Sequence, residues 1–157
     1  MFATLKRMLI GDKRPIERQI ENDILGTLVY SDDDEAWLTI PESGKLKFGF
    51  YIAGSDDFTA PMRVPDPVLV KQAEAVALAQ DQFVAEVMAY VQSECKGKRM
   101  HRGWESEIAD LRIETLCLFW PKRPRDGQIS FSGGRNYRLW RCGYLDGKPG
   151  GGLGFDS

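Results

Sequence analysis

One helical pattern, from about Asp66 to Cys95, lies in the middle of a chain whose other patterns are those of strands. Asp66-Pro67 predicts its start, because an aspartate side chain accepts hydrogen bonds from first-turn amides and proline suits the first helical position. Apolar residues then recur near helical spacing up to Gly97, at Leu69, Ala73, Val76, Phe83, Val87 and Val91. Such a helix is roughly 43 Å long, so the alternative is a kink or an early end near Ala79–Gln82.

Three strand patterns precede the helix. Asp23–Tyr30 is rich in β-branched and aromatic residues, and Ala36–Ile40 follows a polar turn. Lys45–Ala53 alternates, so one set of side chains faces one way and a second set faces the other: Leu46, Phe48, Phe50 and Ile52 against Lys45, Lys47, Gly49 and Tyr51. Short polar links join the three segments, which predicts an antiparallel meander.

The patterns after the helix complete the predicted fold. Arg112–Trp120 is apolar on both faces, as in a strand at the centre of a sheet, and Gln128–Ser132 with Asn136–Leu145 predicts a hairpin. We therefore predict an α+β fold: an antiparallel sheet of about six strands with one long central helix packed on it, in the order strands–helix–strands. Residues 1–157 are expected to form a single domain, with 1–22 as a loosely held helical segment and 146–157 as a glycine-rich terminal loop.

Composition narrows the class of protein. With 157 residues, 43% of them hydrophobic and 11% aromatic, the chain has the composition of an ordinary globular protein. No apolar run reaches the roughly 18 residues of a membrane span, and a basic pair interrupts the apolar N-terminal stretch, which argues against a signal peptide. The wide spacing of Cys95, Cys117 and Cys142 argues against a disulfide framework and a zinc site. We expect a cytoplasmic protein with reduced thiols, Cys117 and Cys142 in the core, no cofactor and no membrane partner.

Charge is distributed unevenly, although the net charge is only −2. Residues 1–95 hold 9 Lys and Arg against 16 Asp and Glu, whereas residues 96–157 hold 12 against 7. The overall balance lacks the basic excess of nucleic-acid-binding proteins, so we expect no nucleic-acid partner. If the split along the chain is also a split in space, the molecule has an acidic and a basic side, which would steer a charged partner.

The candidate partner-binding residues are six carboxylates: Asp32, Asp33, Asp34, Glu35, Asp56 and Asp57. The first four form a block between two predicted strands, without the alternating spacing and glycine of a calcium loop. Two interpretations stay open: a solvated hairpin tip, or an acidic patch facing a partner, with Glu42 as a further neighbour. Clustered carboxylates repel one another, and a basic partner relieves that repulsion.

No pattern in the chain predicts catalysis or metal binding. His101, the only histidine, lies in a basic loop with no nucleophile paired to it in sequence. Gly147–Gly154 is glycine-rich like a phosphate loop, but no helix follows to complete such a site. On the last predicted strand, arginines interleave with aromatic residues, a pattern that can bind single-stranded nucleic acid. We favour core packing instead, with one face formed by Arg138, Trp140, Cys142 and Tyr144.

The segment Asn22-Asp-Ile-Leu-Gly-Thr-Leu-Val-Tyr-Ser-Asp-Asp-Asp-Glu-Ala-Trp37 resembles the opening of small uncharacterised bacterial domains found among immunity proteins of polymorphic toxin systems. The shared features are a short leader, Leu-Gly, a strand, an acidic turn and a Trp. Residues 108–119, 128–132 and 140–146 look like the closing strands of that group, although its Gly-His motif is replaced here by Trp140-Arg-Cys-Gly-Tyr144. The group has no known shared catalytic residues, so the resemblance implies none.

The resemblance implies a cytoplasmic, non-enzymatic protein, monomeric or dimeric, that binds and neutralises a cognate bacterial toxin. Two alternatives belong to other classes. One is a structural or assembly subunit of a phage or secretion system that binds through its sheet edge. The other is an enzyme with an unrecognised site, which a deep pocket joining His101, Cys117 or clustered carboxylates would favour.

Overall fold

Eight strands form one sheet in the computed structural model, which describes residues 18–51, 64–97, 102–135 and 138–156. In chain order the strands are β1 (Gln19–Asn22), β2 (Gly26–Ser31), β3 (Ala36–Ile40), β4 (Lys47–Tyr51), β5 (Arg112–Leu118), β6 (Gly127–Ser132), β7 (Leu139–Leu145) and β8 (Lys148–Asp156). Their order in the sheet is the same as their order in the chain. Together with the helices described next, this sheet confirms the α+β class.

Helical structure separates the first four strands from the last four. The helices are α1 (Pro67–Leu78), α2 (Gln80–Gly97) and the short α3 (Glu105–Ala109). As predicted, the Asp66 side chain accepts hydrogen bonds from the first turn of α1, at 2.8 Å from Val68 N and 3.4 Å from Leu69 N. The prediction of one long helix is wrong, because the helix breaks at Ala79 (φ −111°, ψ 32°), within the alternative range given above.

The break at Ala79 coincides with a contact to the sheet. The side-chain amide of Gln80 donates through Nε2 to Gly44 O (2.7 Å) and accepts through Oε1 from Leu46 N (3.0 Å). These hydrogen bonds tie the start of α2 to the loop before β4. Ala79 N donates to Ala75 O and Val76 O, and Ala79 O accepts from Phe83 N, so the backbone groups of Ala79 stay paired at the break.

Strand number and direction also differ from the prediction. Seven adjacent pairs make the sheet, and six are antiparallel, but β4 and β5 run parallel because the helices return the chain to the same end of the sheet. Residues 19–22, expected in a helical segment, form β1, and most of the expected loop 146–157 forms β8. The glycines of β8 show no period of two, so pairing with β7 and not side-chain alternation makes this segment a strand.

The core lies between the helices and one face of the sheet. The alternation predicted for β4 is confirmed for Phe48 and Phe50, which face the helices beside Leu116 and Leu118 of β5. Trp140, Cys142 and Tyr144 of β7 are buried on the same side, as predicted. The interior position of β5 is confirmed too, because β4 and β6 flank it. Among the described helices, none has the length and apolarity needed to cross a membrane.

Candidate protein-binding surface

Asp32, Asp33, Asp34 and Glu35, here called the acidic turn, join β2 to β3 and are exposed. The hydroxyl of Ser31 accepts from Asp34 N (3.2 Å) and donates to Asp34 Oδ2 (2.7 Å), which shapes the turn from within. Glu35 completes it with a positive φ of 50°. Arg18 contacts Asp32 at 2.6 Å, but both side chains are more than 60% exposed, so this pair adds little stability.

The other predicted acidic residues do not lie in this turn. Asp56 and Asp57 fall outside the described residues. Glu42 follows β3 at its far end, so the five residues of β3 separate it from the acidic turn by roughly 17 Å. The expectation that Glu42 is a neighbour of this patch is therefore wrong.

The charge split along the chain is also a split across the sheet, because strand order follows chain order. The four-strand half with its turns, residues 18–51, holds seven Asp and Glu against three Lys and Arg. The described residues from Arg112 onwards hold eight Lys and Arg against four Asp and Glu. A partner that approaches the sheet thus meets an acidic half and a basic half.

A groove of about 350 Å³ crosses the second face of the sheet, the face away from the helices. Its floor consists of small and polar residues of the central strands, including Thr115, Cys117 and Ser130. Lys47 and Tyr51 line one side, and Asp34 connects the groove to the acidic turn. The groove therefore extends the acidic turn onto the sheet.

Two titratable groups in the groove are held in their neutral forms. Burial raises the pKa of the Cys117 thiol to about 11, although a hydrogen bond from Tyr51 acts in the opposite direction. Burial, together with the nearby Cys117, raises the pKa of Tyr51 well above its usual range. At neutral pH both groups are protonated, so Cys117 is not an activated nucleophile.

Tyr51, Phe119 and Trp120 form an aromatic row at the same end of the sheet as the acidic turn. Ring centroids are 5.3 Å apart between Tyr51 and Phe119, and 5.2 Å apart between Phe119 and Trp120. All three side chains are partly exposed. The aromatic row follows from the topology, because the parallel pairing of β4 and β5 brings the ends of both strands together.

Lys122, Arg123 and Arg125, here called the basic turn, lie between β5 and β6 and are exposed. The Arg123 guanidinium stacks 4.6 Å from the centroid of the Trp120 ring, and Arg123 N donates to Trp120 O at 2.9 Å. Arg125 Nη2 donates to Asp146 O at 3.0 Å in the turn between β7 and β8. The Arg123 contacts hold the basic turn against the end of the aromatic row, and the Arg125 contact ties it to the turn between β7 and β8.

A second cluster, centred on Glu107 of α3, is buried and structural. The Glu107 carboxylate is 4% exposed and accepts from Arg138 Nη2 (2.6 Å), Arg135 N (2.7 Å) and Trp140 Nε1 (2.9 Å). Hydrogen bonds from Arg138 are the main cause that holds the pKa of Glu107 at about 2, against burial, which raises it. The Arg138 guanidinium also stacks 4.3 Å from the Trp104 ring, so this cluster joins α3 to β7.

Sequence reasoning found the acidic turn but missed the aromatic row, the basic turn and the Glu107 cluster. The alternation in β4 had placed Tyr51 on the polar side, and the two apolar faces of residues 112–120 were the available signal for Phe119 and Trp120. His101 falls outside the described residues. The glycine-rich segment is mostly β8, and no group of three His, Cys, Asp or Glu is arranged for metal binding within the described ranges.

Comparison with known proteins gives no relative. No family model, no curated protein and no solved structure matches the chain.

Proposed function

We propose that this chain is a cytoplasmic, non-enzymatic binding protein of the immunity type, which binds and neutralises a cognate bacterial toxin. The observation that carries the proposal is the acidic turn, which presents four consecutive exposed carboxylates at one end of the sheet. Asp34 of this turn also lines the groove on the sheet face. The resemblance of residues 22–37 to immunity-protein domains supports the toxin as the class of partner.

Electrostatics supports a basic partner at the acidic turn. Within the described residues, the ion pair that Asp32 makes with Arg18 supplies one positive charge to four negative ones. The remaining repulsion is relieved when a partner brings lysines or arginines, and complementary charge also accelerates association. Inhibition by occlusion needs surface complementarity and no chemistry, and a standard interface buries about 1,600 Å² in total.

At the β8 edge of the sheet, two backbone amides bond to a helix, which disfavours an assembly subunit that pairs through this edge. Gly151 and Gly152, both with positive φ, form an irregularity opposite β7, and Gly152 N donates to the Tyr90 hydroxyl of α2 at 2.7 Å. Leu153 N donates to Glu94 Oε2 of the same helix at 3.4 Å. Amides that bond to a helix cannot template another strand, a common protection of sheet edges.

The test is co-expression of this chain with the protein encoded by the adjacent gene, scored by bacterial growth and by co-purification. We expect wild type to restore growth and the Asp33→Lys, Glu35→Lys double variant to restore it poorly. The matched control is Asp23→Lys with Glu42→Lys, which reverses two exposed carboxylates at the opposite end of the strands. Failure of wild type to protect or to co-purify contradicts the proposal, and equal loss in both double variants contradicts the role of the acidic turn.

A further inference from the structure

We propose that the acidic turn, the aromatic row and the basic turn form one docking strip for a protein surface that is itself dipolar. Such a surface presents a basic group, then an apolar group, then an acidic group. This inference rests on the proposed function in taking the partner to be a protein, and it adds the chemistry of the contact.

The topology places the three parts in line. The acidic turn lies between β2 and β3, and the basic turn lies between β5 and β6, at the same end of the sheet. Three inter-strand spacings separate them, which is about 14 Å. The aromatic row occupies the interval, because Tyr51 ends β4 and Phe119 follows β5. The strip is therefore continuous and not a set of unrelated patches.

The aromatic row is ordered before any partner binds. Each ring contacts the next at 5.2–5.3 Å, and Arg123 holds Trp120 through the stacking contact and the backbone hydrogen bond described above. A side chain that is already fixed loses little conformational entropy on binding. Tyr, Trp and Arg are also the residues that most often dominate binding energy in protein interfaces.

The two turns together select against partners of one charge. Arg123 lies 3.8 Å from Asp126 and Arg125 lies 3.7 Å from Asp146, so three positive charges stand against two negative ones in this part of the strip. A uniformly basic surface is attracted to the acidic turn but repelled by the positive excess of the basic turn, and a uniformly acidic surface meets the reverse. A dipolar surface satisfies both turns. Charge complementarity along the strip thus identifies the partner's chemistry more narrowly than the acidic turn alone.

A designed peptide tests the strip without any knowledge of the toxin. An extended chain rises about 3.3 Å per residue, so five steps between the inner charged residues span about 17 Å, enough to bridge the two turns. The probe is Lys-Lys-Gly-Trp-Leu-Gly-Glu-Glu, titrated into the full chain labelled with nitrogen-15. We expect amide shifts in the acidic turn and the basic turn. We also expect affinity at least about tenfold higher than for the all-basic and all-acidic versions of the peptide. Equal affinity for the three peptides, shifts elsewhere, or no binding would overturn the inference.

Variants assign the binding to the strip. We expect Trp120→Ala, and separately Lys122→Glu with Arg123→Glu, to weaken peptide affinity about tenfold. The matched control, Lys45→Glu with Lys71→Glu, reverses two exposed lysines away from the strip and should leave affinity unchanged. Unchanged binding by both strip variants would contradict the proposal. Neutralisation of the toxin without peptide binding would overturn the strip alone, whereas peptide binding without neutralisation would overturn the proposed function alone.

Discussion

Substituting alanine for Glu107 removes a buried carboxylate on which three other groups depend. The Arg138 guanidinium, the Arg135 backbone N–H and the Trp140 indole N–H would all lose their acceptor. Removal of one partner of a buried ion pair costs about 3–5 kcal/mol of folding free energy, because the remaining charge is uncompensated. Glu107→Gln keeps an acceptor oxygen but loses the charge, so its loss should lie between zero and that of alanine.

Urea unfolding followed by tryptophan fluorescence measures this loss directly. For a chain of this size, a loss of about 3–5 kcal/mol corresponds to a fall in Tm of roughly 6–20 °C. The control is Glu105→Ala on the same helix, because Glu105 is exposed and accepts one hydrogen bond, from Gly103 N at 2.8 Å. A loss below about 1 kcal/mol for Glu107→Ala, or an equal loss for Glu105→Ala, would refute the assignment of the cluster as a structural clamp.

Three further predictions concern pH, thiol reactivity and strand packing. The folded pKa of Glu107 is about 2 and its ordinary value is 4.5, so its contribution to stability is present above pH 4.5 and is lost as pH falls towards 2. Between these pH values, the urea midpoint of Glu107→Gln should fall less steeply than that of wild type, and equal slopes would contradict this. Burial raises the pKa of Cys117 to about 11 and of Cys142 to about 12, so both should react slowly with Ellman's reagent at pH 8 until urea unfolds the chain; rapid reaction of either folded thiol would contradict this. A Cβ at Gly127 would overlap the Cys117 carbonyl, so Gly127→Ala should destabilise the fold by about 1–3 kcal/mol. A Cβ at Gly154 would meet nothing within 4 Å, so Gly154→Ala should cost less stability, and similar urea midpoints for the two variants would argue against this packing.

The parts of the fold that were predicted correctly depend on local chemistry. Asp66 marks the start of α1 because capping involves only residues two and three positions further on. The faces of β4 follow from a period of two within five residues. The helix break near Ala79 was given as the alternative, because one helix over the whole pattern would be long for a small domain.

The parts that were missed depend on residues far apart in the chain. β8 is a strand because β7 offers an unpaired edge, and its glycines carry no side-chain pattern to reveal it. The parallel pairing of β4 and β5 requires the path of the helices, which no local pattern encodes. Glu107 resembles an ordinary surface residue of a short helix until Arg138, 31 positions later, is placed against it.

The candidate site divides in the same way. The acidic turn was predicted because four carboxylates are adjacent in sequence, and the structure places them in an exposed turn between β2 and β3. The aromatic row joins Tyr51 to Phe119 across 68 positions, through the parallel strand pair. That the acidic turn binds a partner stays a prediction, as does the class of that partner.

The most direct test of the proposed function is calorimetric titration of the purified chain with the protein encoded by the adjacent gene. We predict saturable binding, weakened at least about tenfold by Asp33→Lys with Glu35→Lys. The affinity should also fall as salt concentration rises, because the contact is between opposite charges. The Asp23→Lys, Glu42→Lys control should bind like wild type. Absence of binding by the wild-type chain, or unchanged affinity after reversal of the acidic turn, would contradict the account.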